Sequence, residues 1–202
     1  MLLVRRLAAT VGAVGVGVIN TVMHRSEAPV DLKPGDPAPD FALTGSDNRT
    51  YRLKDLKGQP VVIAWFPAAF TRGCTIECKS LAENGDKIKM YDVSYFMASV
   101  DPIEKNTEFA KAKSVTLGQG ANQQVVEKKE ADFPLLSDPT KETAKAYGVL
   151  NERGVANRCT FYIDKNGKIS YIEKTLKPET SAEDMIGKLA ELKVPMNHGG
   201  TK

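Results

Sequence analysis

Three cysteines are the groups best equipped for covalent chemistry in this chain, and two of them stand four positions apart. Cys74 and Cys78 lie in FPAAFTRGCTIECKSL, residues 66–81, and Cys159 lies far downstream. Their spacing alone leaves a metal site, a structural bridge and a reactive thiol open. A thiolate–imidazole metal site is not expected, because His24 and His198 are the only histidines and both stand near the termini. An odd thiol count also leaves at least one cysteine unpaired within a monomer. For catalysis the placement of Cys74 matters, since it follows an apolar run through a tight loop to the start of a helical pattern. The thiolate is the reactive form, and a helix N-terminus beside a cation can lower a cysteine from about 8.5 to roughly 3.5–7.5. Thr71 stands where it would hydrogen-bond the sulfur from the preceding turn, and Arg72 and Arg158 are candidate cations. The plainer alternative is a buried structural cysteine with Thr71 capping the helix. Cys78 reads equally as a small apolar residue on the same helix face. Cys159 follows Arg158 in a strand, so alternation turns its side chain away from that arginine.

The elements that must position these residues are legible in outline. Pro34, Pro37 and Pro39 make the lead-in extended, and FALTGSDNRTYRL reads as a hairpin around Gly45 to Asn48. VVIAWF, residues 61–66, is a continuous apolar run that fits a strand buried on both faces. A helix is expected from Cys74 to Tyr91, with Ile76, Leu81, Ile88 and Met90 on its apolar side. VSYFMASVD predicts a second buried strand, and PIEKNTEFAKAK a helix that opens on Pro102. Residues 114–126 have no firm period and read as a surface insertion. DFPLLSD, KETAKAYGV and RCTFYIDKNGKISYIEK then predict a strand, a helix and a hairpin turning at Lys165-Asn166-Gly167. The last helix, SAEDMIGKLAELK, is expected to be capped by Ser181. Strands alternating with helices argue for a three-layer α/β domain.

With 202 residues, 42% of them hydrophobic and 26% charged, the chain suits one folded domain, expected over residues 29–196 with a tail at 197–202. The 28 basic and 25 acidic residues are evenly spread and net +3, which gives no reason to expect a nucleic-acid partner. Residues 1–28 read differently. Arg5 and Arg6 precede an uncharged stretch at 7–23, and Ser26 and Ala28 suit a signal-peptidase cut after Ala28. The expectation is a signal peptide or an N-terminal anchor acting as a membrane tether. The protein would then be exported (periplasmic or secreted) or membrane-anchored; a mitochondrial or other organellar transit peptide is the alternative.

Pro67, Thr71 and Cys74 form P-x-x-x-T-x-x-C, which resembles the active-site signature of the peroxiredoxins (AhpC/TSA family). Phe66, Phe70 and Glu77 agree with its variants. LKPGDPAPDFAL, LKDLKGQPVVIAWFP, DFPLLSDPTKETAKAYGV and GVANRCTFYIDKNGKI are similar to family segments in the same order. The resemblance is greatest to the bacterioferritin comigratory protein, or Q-type, branch. It implies a thioredoxin-like three-layer sandwich with a central mixed sheet and an N-terminal hairpin extension. It also implies reduction of hydrogen peroxide and organic hydroperoxides without a metal or an organic cofactor. Cys74 would attack the peroxide, Thr71 would orient it, Arg158 would hold the thiolate and Pro67 would shield the loop. A thioredoxin-like or other dithiol reductant would recycle the enzyme, as a monomer or homodimer. The resolving thiol stays open at this point: Cys78 stands one residue short of the branch's usual C-x4-C spacing, Cys159 is a rival, and an external thiol is a third route. An exported thiol–disulfide oxidoreductase shares the fold, but its motif would be C-x-x-C, and it would have no use for Thr71 or Arg158.

Overall fold

Five consecutive apolar residues, Val61 to Trp65, form the central strand, and each is no more than 1% exposed. Fully burying a large aliphatic or aromatic side chain is worth roughly 1.5–3 kcal/mol, so this short run anchors the domain. The computed structural model describes residues 30–197. In chain order the strands are β1 (Ala42–Gly45), β2 (Thr50–Arg52), β3 (Val61–Trp65), β4 (Ser94–Ser99), β5 (Ser114–Leu117), β6 (Gln124–Glu127), β7 (Leu135–Ser137), β8 (Cys159–Ile163) and β9 (Ile169–Glu173). The helices are α1 (Arg72–Glu83), α2 (Gly85–Ile88), α3 (Ile103–Lys111), α4 (Glu142–Ala146) and α5 (Ser181–Glu191).

Seven strands form one sheet in the order β2-β1-β7-β4-β3-β8-β9, and β5 and β6 pair separately. The sheet is mixed, because β3 runs parallel to β4 and antiparallel to β8, with Trp65 opposite Cys159. Alternation along the strands divides the core in two. Val62, Ala64, Phe66, Met97 and Tyr162 meet residues of α1, α3 and α5 on one face. Ile63, Trp65, Phe96 and Phe161 meet Ala144 of α4, Tyr147 and the N-terminal segment on the other. The result is an α/β thioredoxin-like sandwich with helices on both sides of a mixed sheet. The expected N-terminal hairpin is β1–β2, added at the sheet's edge through β7.

Four local expectations change. The helix expected from Cys74 to Tyr91 starts at Arg72 and breaks at Asn84, whose backbone (φ −111°, ψ 13°) leaves the helical region. Gly85 then lies so close to Asp132 that a Cβ would meet its carboxylate oxygen at 2.5 Å. The buried side of α1 runs through Cys74, Cys78 and Leu81, while Ile76 is only half-buried and Met90 is 52% exposed. Residues 114–126 are not a formless insertion: β5 and β6 make a hairpin that buries Val115 and Leu117 against the α1–α3 side. Thr180, not Ser181, stands at the cap of α5; Ser181 is its first residue and donates to the Pro178 carbonyl at 3.2 Å. Asn197, read as the start of a tail, bonds through its side chain to the carbonyls of Lys89 and Tyr91.

The expected membrane anchoring is also corrected: among the described residues, no helix is long and apolar enough to cross a membrane. The segment 1–28, on which export or anchoring was argued, lies outside the described residues.

Candidate active site

Cys74 is carried to its place by the end of β3. The Phe66 amide makes a bond at the strand's end, to the Ala98 carbonyl at 2.9 Å, and Pro67, with no amide proton, starts the loop. The loop is pinned by Asp101 at the mouth of α3, whose carboxylate accepts the Ala69 amide at 2.7 Å and the Lys105 ammonium at 2.7 Å. Phe70 sits at φ 65°, a backbone region a bulky side chain rarely adopts, and its ring lies edge-on to Phe109 at 5.1 Å. That strained residue turns the chain into α1, with Thr71 as its cap residue and Cys74 its third. Amides in the first turn of a helix lack an acceptor one turn earlier, and the macrodipole adds partial positive charge there, so Cys74 lies where an anion is favoured.

Arg158 completes the geometry from across the chain. It stands just ahead of β8, and its Nη2 donates to Cys74 Sγ at 3.3 Å. Its Nη1 forms an ion pair with Glu77, one turn along α1, whose carboxylate is fully buried. The guanidinium therefore forks between a carboxylate and a sulfur and is held rigidly against the helix. Gly73 leaves it room: a Cβ there would meet Arg158 Nη2 at 3.0 Å.

Thr71 lies beside the site but does not donate to the sulfur. Its hydroxyl proton goes to the Ala68 carbonyl at 2.9 Å, which leaves its oxygen an acceptor toward anything bound before Cys74. Arg72, the other candidate cation, is turned away and donates to Gln124 Oε1 of β6 at 2.6 Å. Pro67 is half-buried in the loop wall.

The three cysteines are free thiols and all are buried. Cys74 and Cys78 share the α1 face and the same core cluster, whereas Cys159 belongs to the cluster across the sheet. Cys159 lines a cleft of about 490 Å³ with Val30, Asn157, Arg158 and Lys174. Burial pushes the Cys78 thiol up to about 11, with the Lys128 charge pulling against it, and burial likewise pushes Cys159 up to about 11. Among the described residues, no group of three or more His, Cys, Asp or Glu side chains is arranged to hold a metal ion.

A thiol at a helix start, touched by a fixed arginine behind a pinned proline loop, is a setting that suits a nucleophile. The AhpC/TSA family model matches residues 34–172. The chain belongs to that family. Peroxiredoxin Bcp of Escherichia coli strain K12 is 30% identical over 167 residues, which cover 79% of this chain and 97% of the relative. Thioredoxin peroxidase of Fasciola hepatica is 28% identical over 79% of this chain and 76% of its own length. Among solved structures, peroxidoxin BcpB of Mycobacterium tuberculosis superposes with a TM-score of 0.66 at 27% identity, covering 80% of this chain and 99% of that one. The chain is thus a peroxiredoxin close to the Bcp, or Q-type, branch. It is a thiol-dependent peroxidase, acting on a peroxide and recycled by a thiol reductant.

Within this peroxiredoxin, two features of the site escape a reading of the sequence. Asp101 anchors the cysteine loop from a strand end 32 residues away, with no local signal beyond an acid ahead of Pro102. Glu77 is visible as a motif residue, but its role in holding Arg158 appears only once the two segments meet.

Proposed function

We propose that Cys74 is the peroxidatic cysteine of this enzyme, and the contact from Arg158 Nη2 to its sulfur at 3.3 Å is the observation that carries the assignment. The Cys74 thiolate attacks the terminal oxygen of the peroxide. An S–O bond forms, the O–O bond breaks, and the departing alkoxide or hydroxide takes a proton to leave as alcohol or water. Arg158 holds the thiolate and stabilises the charge that moves onto the peroxide oxygens, a role for pre-placed donors in a site largely closed to water. Thr71, with its proton committed to Ala68, accepts the hydrogen of the bound hydroperoxide and so orients it. Pro67 walls the loop and limits the entry of water.

Cys78 is the resolving thiol in this reading. It shares the helix face with Cys74, while Cys159 is separated from both by the sheet. Its sulfur attacks the Cys74 sulfenic acid, an S–S bond forms, and the leaving hydroxide combines with the Cys78 proton as water. On a helix, residues four apart have Cβ atoms about 5–6 Å apart, against the 3.5–4.5 Å a disulfide needs. The first turn of α1 must therefore loosen. Cys74, third in the helix, moves toward Cys78, which sits mid-helix and fully buried. A dithiol of thioredoxin type then reduces the bridge; the name of the Fasciola hepatica relative supports this choice of donor.

The test is one equivalent of hydrogen peroxide added to the reduced wild type, Cys74→Ser, Cys78→Ser and Cys159→Ser, with thiol counting and peptide mapping. Cys74→Ser should lose peroxide consumption by several orders of magnitude, and the wild type should map as a Cys74–Cys78 bridge. Normal consumption by Cys74→Ser would overturn the first assignment, and a Cys74–Cys159 bridge the second.

A further inference from the structure

Lys128 is a buried lysine that the peroxide chemistry above does not use. It follows β6, is 5% exposed, and lies on the α1–α3 side of the sheet. Its Nζ donates to the carbonyls of Ala110 at 3.2 Å and Lys129 at 3.1 Å and stands 5.5 Å over the Phe109 ring. An ammonium carries three N–H donors, so these two bonds leave one. No carboxylate forms an ion pair with it among the described residues. Burying an ammonium costs several kcal/mol that two carbonyls, a ring face and the Glu130 charge beyond ion-pair distance only partly offset. A negative group forming beside it would complete the balance.

The hairpin brings that group close. Lys79, next to Cys78 on α1, donates to the carbonyl of Glu127, next to Lys128, at 2.8 Å. The two segments are thereby tied side by side at the level of Cys78. Phe109, beneath the ammonium, also touches Phe66 and Phe70, the aromatic side chains flanking the loop that holds Cys74. The electrostatics run the same way: the Lys128 charge lowers the Cys78 thiol against its burial and against Cys74, while Cys78 and then Glu130 raise Lys128 against its own burial.

We infer that Lys128 is a positioning residue for the resolving step, its buried ammonium stabilising the Cys78 thiolate as that sulfur attacks the Cys74 sulfenic acid. The inference rests on the assignment of Cys78 as the resolving thiol. In the step, Cys78 gives up its proton and forms the S–S bond while the S–O bond of Cys74 breaks; the proton and the hydroxide leave as water. Lys128 is neither oxidised nor reduced and keeps its proton. Cys78 sits mid-helix and need not move as the first turn of α1 loosens, so the Lys128 charge that lowers its thiol acts on the attacking sulfur throughout.

The size of the effect follows from thiol chemistry. Each unit by which the thiol rises cuts its thiolate fraction tenfold, while the remaining thiolate becomes more nucleophilic with a Brønsted slope of about 0.4–0.5. The net slowing is then roughly three- to fourfold per unit. Reduced wild type, Lys128→Met, Lys128→Gln, Lys128→Arg and Cys78→Ser are each mixed with one equivalent of hydrogen peroxide. Peroxide loss reads sulfenic acid formation, and acid quench with thiol alkylation and mass spectrometry reads the bridge. The measure is the ratio of the second rate to the first. It should fall in Lys128→Met and Lys128→Gln, by about three- to fourfold for each unit the Cys78 thiol rises, and recover in Lys128→Arg. The slowed variants should also accumulate more Cys74 sulfinic acid at high peroxide, because their sulfenic acid lives longer. A wild-type ratio in the uncharged variants overturns the inference. So does an arginine variant as slow as the methionine one, since the loss would then be one of shape rather than charge. An undiminished bridge in Cys78→Ser removes the underlying assignment instead, and is told apart because the bridge then maps to another cysteine.

Discussion

Arg158 answers to two partners at once, and that divides its value between stability and chemistry. One nitrogen touches the Cys74 sulfur and another pairs with Glu77, a carboxylate with no exposed surface. Replacing Arg158 by Met strands that carboxylate. Breaking a buried pair from one side costs about 3–5 kcal/mol, and the low end applies here because the Arg158 side chain is 18% exposed. Peroxide consumption should fall with it, as the sulfur loses the guanidinium donor. Adding Glu77→Gln to Arg158→Met removes the stranded charge, so the double variant should regain stability over the single one, read from urea unfolding midpoints. Its peroxidase activity should stay lost. A double variant no more stable than Arg158→Met would mean that Glu77 is not held by this pair. Lysine at position 158 is not a conservative exchange, since a point charge cannot fork between a carboxylate and a sulfur as a guanidinium does.

Among the elements, those with a strong period were legible in the sequence and those defined by contact were not. Val61 to Trp65 announced a buried strand because five apolar residues in a row have no exposed face. Cys74 and Arg158 were legible as a pair only through the family resemblance; no local pattern joins residues 84 apart. The β5–β6 hairpin read as formless because its two inward residues, Val115 and Leu117, sit among Ser, Thr and Gln over a run too short for alternation to register. Lys128 carries no signal in the sequence for a related reason, since a lysine is exposed by default and only the hairpin's closure over Phe109 buries it. That hairpin now has a consequence for the catalytic helix. Gln124 of β6 accepts a bond from Arg72, the first residue of α1, at 2.6 Å, and so restrains the turn that must loosen for the proposed Cys74–Cys78 bridge to form. A surface bond of this kind is worth about 0.5–1 kcal/mol net. Gln124→Ala should therefore speed the conversion of sulfenic acid to bridge by roughly two- to fivefold, measured by quenched flow as the ratio to peroxide loss. An unchanged ratio would show that loosening of the first turn does not limit the step.

Across the whole molecule, the sheet divides the thiols by face. Cys74 and Cys78 lie on the face covered by α1, α3 and α5, and Cys159 on the face covered by α4 and the N-terminal segment. Cys159 leaves its mark on stability instead. Its thiol is pushed by burial from 9.0 up to about 11, with Lys174 opposing and Glu173 assisting. Between these two values the unfolded chain has released its proton while the folded protein still holds it. The folded state therefore binds more protons, and stability falls as pH rises, by about 1.4 kcal/mol per unit for this one group. Below pH 9 the effect vanishes, because both states keep the proton. Cys78 contributes in the same direction, and the lowered Lys128 in the opposite one. Both remain in a Cys159→Ala variant, so the difference between that variant and the wild type isolates Cys159. Urea unfolding of the reduced proteins should give a constant difference below pH 9 that shifts in favour of Cys159→Ala between pH 9 and about 11. Stability curves that stay parallel through this window would mean that the Cys159 thiol titrates alike in the folded and unfolded chains.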